Sequence, residues 1–359
     1  MSYTNGLDNP ELYFQCKLYT GNGTAIGSGG LAVTLDGSED MSPSLVWIKE
    51  RNSSVNHQIY DSARGATYRM YPDGSYDEDQ QTEGITAFNS NGFTIGNDAN
   101  TNGSSDTYVA WCWKGGTTSG IAGSADITPN AYSFNQTSGF SCLTYNGTDV
   151  NGDTVLHGLG AVPHFMIVKR RVTGDGYDWV VYHKDDVAGL YLNTDDNNAD
   201  SSSTNIWFHG QTPTSTQFHI GTDGRIGDNV ATGAYVFYGW AGIQGYSKFG
   251  SWIGTGGDGP FIFTGFRPAF ILRKEVSNDD VWIINDTKRS PINFDTSAVP
   301  LYPHTSGAEP GGVNFDILSN GFKIRNTDGD TNTADATFIY AAFAEAPFVN
   351  SKGVPCNAR

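Results

Sequence analysis

The sequence is poor in cysteine and in basic residues. Its four cysteines, Cys16, Cys112, Cys142 and Cys356, are scattered singly without a C-x-x-C pair. This spacing disfavours a disulfide framework and favours assembly in a reduced, cytosolic environment. The 21 Lys and Arg stand against 38 Asp and Glu, which gives a net charge of −17. Nucleic-acid binding needs clustered basic side chains, so the composition predicts no nucleic-acid partner.

Long apolar runs and long helical patterns are also missing. No run approaches the roughly 20 apolar residues of a membrane helix, so we expect no membrane insertion. The opening Met1–Gly6 is polar and lacks the apolar segment of a signal peptide, so we expect none. No stretch of about 12 residues or more repeats its apolar positions with the period of an α-helix. These absences leave strands as the main element.

Glycine and aromatic residues are abundant. The chain has 45 Gly in 359 residues, close to twice the average usage of roughly 7%. Apolar residues come in short runs such as Val236–Trp240 and Phe261–Phe266, bounded by clusters of Gly, Asn, Asp, Ser and Thr. Short runs of β-forming side chains between turn residues are typical of strands. The composition therefore predicts an all-β fold.

Three anchors recur in the same order three times along the chain. The first anchor returns after 120 residues (Pro43 to Pro163) and again after 105 (Pro163 to Pro268). That is a domain length rather than a solenoid period of about 20–50 residues. We therefore predict three tandem antiparallel β-sandwich domains of jelly-roll type, produced by internal triplication. The first anchors are Pro43–Lys49, Pro163–Lys169 and Pro268–Lys274, the second are Phe93–Gly96, Phe218–Gly221 and Phe322–Arg325, and the third are Tyr108–Trp113, Tyr235–Trp240 and Phe338–Phe343.

The anchors and the polar stretches between them predict the domain boundaries. Polar ends fray unless something holds them. We therefore predict that the apolar residues of the two ends, Tyr13, Phe14, Phe348 and Val349, dock on neighbouring subunits. The predicted segments are a docking arm at 1–16, β-domains at 17–115, 129–245 and 246–346, a Gly/Ser/Thr linker at 116–128 and a tail at 347–359.

Two patterns suggest enzyme chemistry, and each has a plainer interpretation. Gly254–Gly259 matches G-x-G-x-x-G, but Pro260 and an apolar strand follow where a nucleotide-binding loop needs a helix. His57, Asp61 and Ser62 could form part of a catalytic triad, although a structural histidine is the stronger interpretation. We predict that the chain is not an enzyme.

Acidic and amide side chains cluster in two kinds of loop. The carboxylates between Asp77 and Glu83 could act as a pair in glycoside hydrolysis, or form a solvated charged loop. The stretch Asp98–Gly103 opens like a calcium loop, but Val109 stands where the bidentate Glu should be. Ordinary turn chemistry explains such stretches equally well. We predict no metal and no cofactor, and the weak calcium candidates are Asp98, Asn100, Asn102, Asp328 and Asp330.

Aromatic residues outside the anchors are the best binding candidates. They lie among Pro, Gly, Asp and Ser/Thr-rich stretches that are typical of loops. Rings on loops can stack on sugars or fill the pocket of a protein partner. The alternative is that these rings close the ends of a sandwich. The candidates are Tyr68, Tyr71, Tyr76, Trp207 and Phe208.

Motifs in each third of the chain carry a family resemblance. They are Leu18–Gly23, Val46–Lys49, Tyr60–Gly65, Phe88–Phe93, Tyr108–Trp111, His157–Lys169, Gly265–Phe270 and Leu318–Lys323. These motifs resemble a repeated β-module found in virion structural proteins and tail fibres of tailed, especially marine, bacteriophages. The motif Tyr60–Gly65 is clear only in the first third, so a role of Arg64 need not be shared.

The resemblance implies a non-enzymatic virion protein on the particle surface. It would act in host attachment as a tail fibre, or in capsid decoration. Its partners would be other virion proteins, with a homo-oligomer and a host cell-surface glycan left open. A lectin-like, glycan-binding module is the alternative function, and a polysaccharide-degrading enzyme is a remote one.

Overall fold

The fold is all-β and is built from several antiparallel sheets, as the composition predicted. The computed structural model describes residues 6–172, 176–195, 211–229, 234–291, 293, 299–312, 315–325, 327 and 329–357. None of the helices in these ranges is long and apolar enough to cross a membrane. The helical elements in the same ranges are α1 (Ala99–Asn102), α2 (Gly329–Asn332) and the 3-10 turns Pro10–Leu12 and Ile26–Ser28.

The first part of the chain, which we call the first unit, forms two sheets. Its strands are β1 (Phe14–Thr20), β2 (Leu31–Val33), β3 (Leu45–Glu50), β4 (Gln58–Asp61), β5 (Tyr68–Met70), β6 (Asp79–Gln80), β7 (Ile85–Asn89), β8 (Gly92–Ile95) and β9 (Thr107–Trp113). The large sheet has the order β1-β9-β3-β4-β5-β6, and the small sheet has the order β2-β8-β7.

The second unit also forms a large and a small sheet. Its strands are β10 (Ala131–Asn135), β11 (Phe140–Tyr145), β12 (Thr154–Leu156), β13 (Phe165–Arg170), β14 (Val180–His183), β15 (Asp186–Tyr191), β16 (Gln217–His219) and β17 (Tyr235–Trp240). The large sheet has the order β10-β11-β17-β13-β14-β15, and β12 pairs with β16 in the small one.

Among the described residues, the large sheet of the third unit has fewer strands than those of the other two units. The strands of the third unit are β18 (Ser247–Ile253), β19 (Phe261–Phe263), β20 (Phe266–Glu275), β21 (Trp282–Asp286), β22 (Phe315–Leu318), β23 (Gly321–Ile324) and β24 (Thr337–Pro347). The large sheet has the order β18-β24-β20-β21, and the small sheet has the order β19-β23-β22.

The sequence anchors lie on strands that hold the same place in each unit. The first anchors lie on β3, β13 and β20, and each of these strands pairs with the third-anchor strand of its unit. The second anchors lie in the small sheets, on β8, β16 and β23. Even the register agrees, with the pairs Trp47 to Trp111, Ile167 to Tyr238 and Leu272 to Ala341.

Each third-anchor strand is buried on both faces. On β9, Trp111 and Trp113 point to one apolar core, whereas Tyr108 and Cys112 point to another on the opposite face. Successive side chains of a strand point to opposite faces. The sequence of a strand that is buried on both faces is therefore a continuous apolar run, without alternation of apolar and polar residues. This explains why the anchors have no polar alternation.

One face of every large sheet packs into a central core that the three units share. The ring of Trp113 lies 5.0–5.8 Å, between centroids, from those of Phe14, Trp240, Phe270 and Phe343. These rings come from all three units. The other face of each large sheet contributes to a local core of its own unit. The three tandem domains predicted from the sequence account for the local cores, whereas the shared core was not predicted.

The N-terminal segment predicted as an arm at 1–16 is part of the fold from Leu7 onward. Leu7 joins the central core, and Phe14 opens β1 with only 1% of its surface exposed. Tyr13 packs against the same core, with its ring 6.2 Å from that of Tyr246. Phe14 therefore belongs to the core of its own chain, which corrects the expectation that it docks on a neighbouring subunit.

The predicted linker and tail are packed as well. Ile127 of the linker is only 7% exposed and joins the local core of the second unit. In the tail, the N–H of Phe348 donates to the carbonyl oxygen of Gly265 at 3.1 Å. Val349 then forms an antiparallel bridge with Pro355. Burial of Ile127 therefore fixes the end of the linker, and backbone hydrogen bonds hold the start of the tail against the third unit.

Candidate functional site

Two buried ion pairs occupy equivalent positions in the first and third units. The Nε of Arg64 lies 2.5 Å from Oδ2 of Asp61, and the Nε of Arg289 lies 2.6 Å from Oδ2 of Asp286. All four side chains are fully buried. In each pair the backbone N–H of the arginine also donates to Oδ1 of the aspartate. This hydrogen bond closes the turn after the strand. The third unit therefore shares this role of Arg64, which the sequence left open.

Each of these carboxylates also accepts a hydrogen bond from the next unit. The hydroxyl of Tyr238 in the second unit donates to Asp61 at 2.6 Å. The indole Nε1 of Trp111 in the first unit donates to Asp286 at 3.1 Å. A buried charge is tolerated when it is paired and its remaining lone pairs are satisfied. The two pairs therefore hold the first unit to the second and the third unit to the first.

The second unit has a histidine at the same position. His183 ends β14 in the register that the two aspartates hold on β4 and β21. Its Nε2 lies 3.1 Å from the carbonyl oxygen of Tyr340 in the third unit. Ala341 stands there in place of the Tyr or Trp of the other two third anchors, so the contact goes to the backbone. The three contacts thus run from the first unit to the second, from the second to the third and from the third to the first.

Glutamates from irregular loops complete the two ion pairs. Glu78 accepts from Arg64 of its own unit at 2.9 Å and from Arg171 of the second unit at 2.7 Å. The N–H of Glu78 also donates to the carbonyl oxygen of Arg171. These charges are therefore committed to contacts within the chain. In the third unit Glu309 repeats the arrangement with Arg289 at 3.0 Å and with Arg51 of the first unit at 2.9 Å.

The triad fragment suggested by the sequence is divided between different contacts. His57 is fully buried, and its Nδ1 accepts from the indole N–H of Trp47 at 3.0 Å. Asp61 is bound to Arg64 and to Tyr238. Nδ1 of His57 therefore takes its hydrogen bond from a tryptophan, which fits the structural interpretation of this histidine.

The acidic loop proposed for glycoside hydrolysis is also engaged. Asp79 lies 2.8 Å from the guanidinium of Arg69. The Oε2 of Glu83 accepts from the backbone N–H of Ile26 and of Asn97, both at 2.9 Å. These hydrogen bonds lower the pKa of Glu83. A general acid in glycoside hydrolysis needs a raised pKa instead, so this carboxylate is poorly suited to that role.

The aromatic loop after β5 lies at the junction between the first and second units. The indole Nε1 of Trp179 donates to the carbonyl oxygen of Tyr71 at 2.9 Å, and Lys169 donates to that of Ser75 at 3.1 Å. The rings of Tyr71 and Tyr76 meet edge to face at 5.8 Å. Tyr76 is 52% exposed, whereas Tyr68 is partly buried on β5. Only Tyr76 of these three therefore presents most of its ring to solvent.

One sequence family covers almost the whole chain. Residues 9–347 match the family described as a domain of unknown function, DUF7483. The chain belongs to this family. No curated protein and no solved structure matches it. The single DUF7483 match spans all three units, in keeping with the core that they share. The remaining aromatic candidates, Trp207 and Phe208, lie outside the described residues of the DUF7483 chain.

Among the calcium candidates of the DUF7483 chain, Asp98, Asn102 and Asp330 make local contacts. Asp98 precedes α1 and lies 3.1 Å from the guanidinium of Arg69. Asn102 accepts from the N–H of Asn22 at 2.7 Å and donates to Gly96, which ties the helical turn to the end of β1. No group of three His, Cys, Asp or Glu able to hold a metal occurs within the described ranges. Asn100 lies within α1, the backbone of Asp330 in α2 accepts from Arg273, and Asp328 lies outside the described residues.

Removing divalent cations from the DUF7483 chain should leave its stability unchanged. Asp98 already has a cationic partner in Arg69, and a calcium ion would have to displace it. We expect Tm with and without excess EDTA to agree within about 2 °C, since about 1 kcal/mol moves Tm by roughly 2–4 °C at this size. Thermal melting followed by circular dichroism gives the comparison, with added Ca²⁺ as the control. A fall of more than about 10 °C would mean that a loop holds a structural ion.

Acid should destabilise the DUF7483 chain through its buried histidines. His183 donates from Nε2 and accepts the N–H of Asp185 at Nδ1, so a second proton would break the latter bond. Burial lowers the pKa of His183, and likewise of His157, from 6.5 to about 4. The unfolded chain therefore binds more protons between pH 6.5 and 4, and stability is lost as pH falls through this window.

The histidine effect can be measured by substitution. His183→Gln should make Tm less dependent on pH between 6.5 and 4, and the wild-type loss should amount to roughly 3 kcal/mol per histidine at most. Burial raises the pKa of Asp73 to about 7, which acts in the opposite direction. The comparison is therefore between variant and wild type at each pH. His219→Gln, on the partly buried end of β16, is the control. Parallel curves for His183→Gln and wild type would contradict the prediction.

Proposed function

We propose that this chain is a non-enzymatic structural protein of a tailed-bacteriophage virion. It lies on the particle surface and serves host attachment as part of a tail fibre, or capsid decoration. The observation that carries the proposal is the recurrence of one set of anchors on equivalent strands of the three units. Two of the motifs that resemble the repeated β-module of phage virion proteins, Val46–Lys49 and Tyr108–Trp111, lie within those anchors.

The proposal includes an internal triplication of one two-sheet module. Each module is a jelly-roll-like sandwich in which a large sheet packs on a small one. The support is the matching register of the anchors and the cyclic order of the contacts made by Asp61, His183 and Asp286. Because one face of every large sheet turns to the common core, the three modules form a closed ring rather than a flexible string.

A ring of this kind suits a particle surface. Some of its charged side chains, such as Glu78 and Glu309, join one module to the next. Its net charge of −17 favours solubility and opposes self-association of free subunits. Virion proteins must stay folded outside the cell, where no chaperone restores them. Cooperative burial in a shared core supplies that resistance to unfolding.

Analysis of purified particles tests the proposed function. Particles from infected cells are purified on a density gradient and digested for mass spectrometry. We expect peptides of this chain at a fixed ratio to the major capsid protein. Immunogold labelling of intact particles then distinguishes a tail fibre from capsid decoration. Presence in the infected-cell lysate together with absence from purified particles would reject the virion assignment.

The exposed ring of Tyr76 favours glycan binding as a second candidate function. An exposed tyrosine beside a second ring, here Tyr71 at 5.8 Å, can stack on the apolar face of a sugar. Probing a glycan array with the wild type and with Tyr76→Ala tests this candidate. Phe261→Ala, which alters another exposed ring, is the matched control. A glycan signal that only Tyr76→Ala removes would support a lectin-like role.

A further inference from the structure

The outer edges of the large sheets are covered differently in the three units. In the second unit β10 adds to the edge of β11 and covers it. In the third unit β18 is the terminal strand and, among the described strands, pairs only with β24. The difference follows from chain length, because only residues 241–246 connect β17 to β18. That connection is too short to supply a covering strand.

The first unit covers its edge with a loop. Gln15 on β1 accepts the N–H of Gly37 at 2.9 Å and donates to the carbonyl oxygens of Glu11 and Glu39. The loop 36–39 between the small and large sheets is therefore fixed beside β1. In the third unit the corresponding connection, between β19 and β20, has only residues 264–265. The third unit therefore has neither an added strand like β10 nor a loop like 36–39 to cover the edge of β18.

The covering strand of the second unit places an aromatic ring at a defined point. Phe134 of β10 pairs with Ser141 of β11 and is 6% exposed. Its ring lies against Gly158, since a Cβ added there would come within 2.5 Å of it. Gly158 has a φ of +75°, which favours glycine. The ring therefore fills a recess that a glycine keeps open.

The third unit has an open groove at the corresponding place. Lys248 holds on β18 the register that Ser141 holds on β11. Gly265 follows β19 at the offset at which Gly158 follows β12, and its φ is also positive, at +86°. The groove measures about 520 Å³, and its walls include Lys248, Phe263, Gly265, Phe348 and Val349. The groove is large enough for an aromatic side chain beside Gly265, as Phe134 lies beside Gly158 in the second unit.

The charge and the exposed rings indicate what kind of segment the groove accepts. Lys248 donates to the carbonyl oxygen of Phe263 and lies 5.3 Å from the centroid of its ring. Burial lowers the pKa of Lys248, and the nearby Lys184 lowers it further. Within the described residues no carboxylate forms an ion pair with Lys248, so a carboxylate from a partner would complement it. Phe263 is 52% exposed, and an exposed hydrophobic side chain on an edge strand favours association with another chain.

We propose that β18 binds an extended segment of another polypeptide. The segment adds to β18 as a further strand, sets an aromatic side chain in the groove and pairs a carboxylate with Lys248. Strand addition supplies backbone hydrogen bonds, while the groove selects the side chain. This binding site is a property of the third unit wherever the protein resides, and it goes beyond the proposed function.

A peptide taken from the chain itself is a direct probe. The nine-residue peptide of residues 129–137, Pro-Asn-Ala-Tyr-Ser-Phe-Asn-Gln-Thr, contains β10. A fluorescent form is titrated with the full chain and followed by anisotropy. We expect saturable binding, at least about tenfold weaker for the peptide with Phe134→Ala. The peptide with Gln136→Glu places a carboxylate two residues from the aromatic ring and should bind several-fold more tightly at low salt.

Two exposed phenylalanines of β19 give matched protein variants. Phe263→Lys puts a charge in the groove, whereas Phe261→Lys puts the same charge on the same strand outside it. We expect Phe263→Lys to weaken binding at least about tenfold and Phe261→Lys to change it less than about twofold. Because both side chains are about half exposed, both variants should keep the wild-type Tm.

Three results would overturn the proposal. The first is no saturable binding of the peptide to the wild-type chain. The second is an equal loss with both lysine variants, which means general apolar adhesion. The third comes from sedimentation of the full chain without peptide. Concentration-dependent dimers that Phe263→Lys disperses would mean that a second copy occupies the groove instead of a different polypeptide.

Discussion

Replacing Trp113 by alanine should lower the unfolding temperature of the entire chain in one transition. The indole lies in the central core and contacts Phe14, Trp240, Phe270 and Phe343, so its loss leaves a cavity that all three units border. Truncating a buried Trp costs about 3–5 kcal/mol. Calorimetry and urea unfolding of the full chain measure the change.

The form of the transition is as informative as its position. A shared core predicts that the three units melt together in both wild type and Trp113→Ala. Phe261→Ala is the control, because that ring is 45% exposed and lies outside the core. Its Tm should match the wild type. A variant in which the first unit melts alone, ahead of the other two, would contradict the shared core.

Removing the carboxylate of Asp61 should be nearly as damaging. Asp61→Ala would leave the fully buried guanidinium of Arg64 without its closest counter-ion and the hydroxyl of Tyr238 without its acceptor. Breaking one side of a buried ion pair costs about 3–5 kcal/mol. Tyr238→Phe removes only the hydrogen bond and should cost about 1–2 kcal/mol. Urea unfolding of the full chain measures both values.

The double variant separates a missing charge from a missing shape. Asp61→Ala combined with Arg64→Met removes both charges, and apolar replacements of buried pairs are often neutral. We expect the double variant to recover most of the stability that Asp61→Ala loses. In that background Glu78 has lost Arg64, its ionic partner in the first unit, and keeps Arg171 of the second unit. If the double variant is as unstable as Asp61→Ala alone, the loss does not come from an uncompensated arginine.

Much of the fold was predictable because local chemistry specifies it. The runs Val46–Lys49 and Tyr108–Trp113 are short, apolar and bounded by turn residues, and they form β3 and β9. The shared core was not predictable from the same runs. An apolar run reports that both faces of a strand are buried, but it does not say which other element buries them. The burial of Phe14 in the central core was missed for a related reason. The segment around it is polar, and its composition is that of a free arm.

The contacts between units were only partly visible in the sequence. Asp286 and Arg289 have the same spacing as Asp61 and Arg64, so the second ion pair had a signal. Arg51 and Arg171 likewise follow the lysines of the first two first anchors by two residues. The glutamates had no such signal, because Glu78 lies 14 residues after Arg64 and Glu309 lies 20 after Arg289. Loop positions at different offsets cannot be aligned without the fold.

The three contacts between units differ in chemistry, so each junction between two units is specific. Asp61 requires a hydroxyl, Asp286 an indole and His183 a backbone carbonyl from the following unit. Exchanging two units in the chain would bring each of these groups opposite a partner of the wrong chemistry. A circular permutation at a junction between units would keep all three pairs of partners. The backbone N–H of Ser351 donates to Oδ1 of Asp8 at 2.7 Å, so the segment before β1 contacts the segment after β24. The three contacts thus fix the cyclic order of the units, whichever unit comes first in the chain.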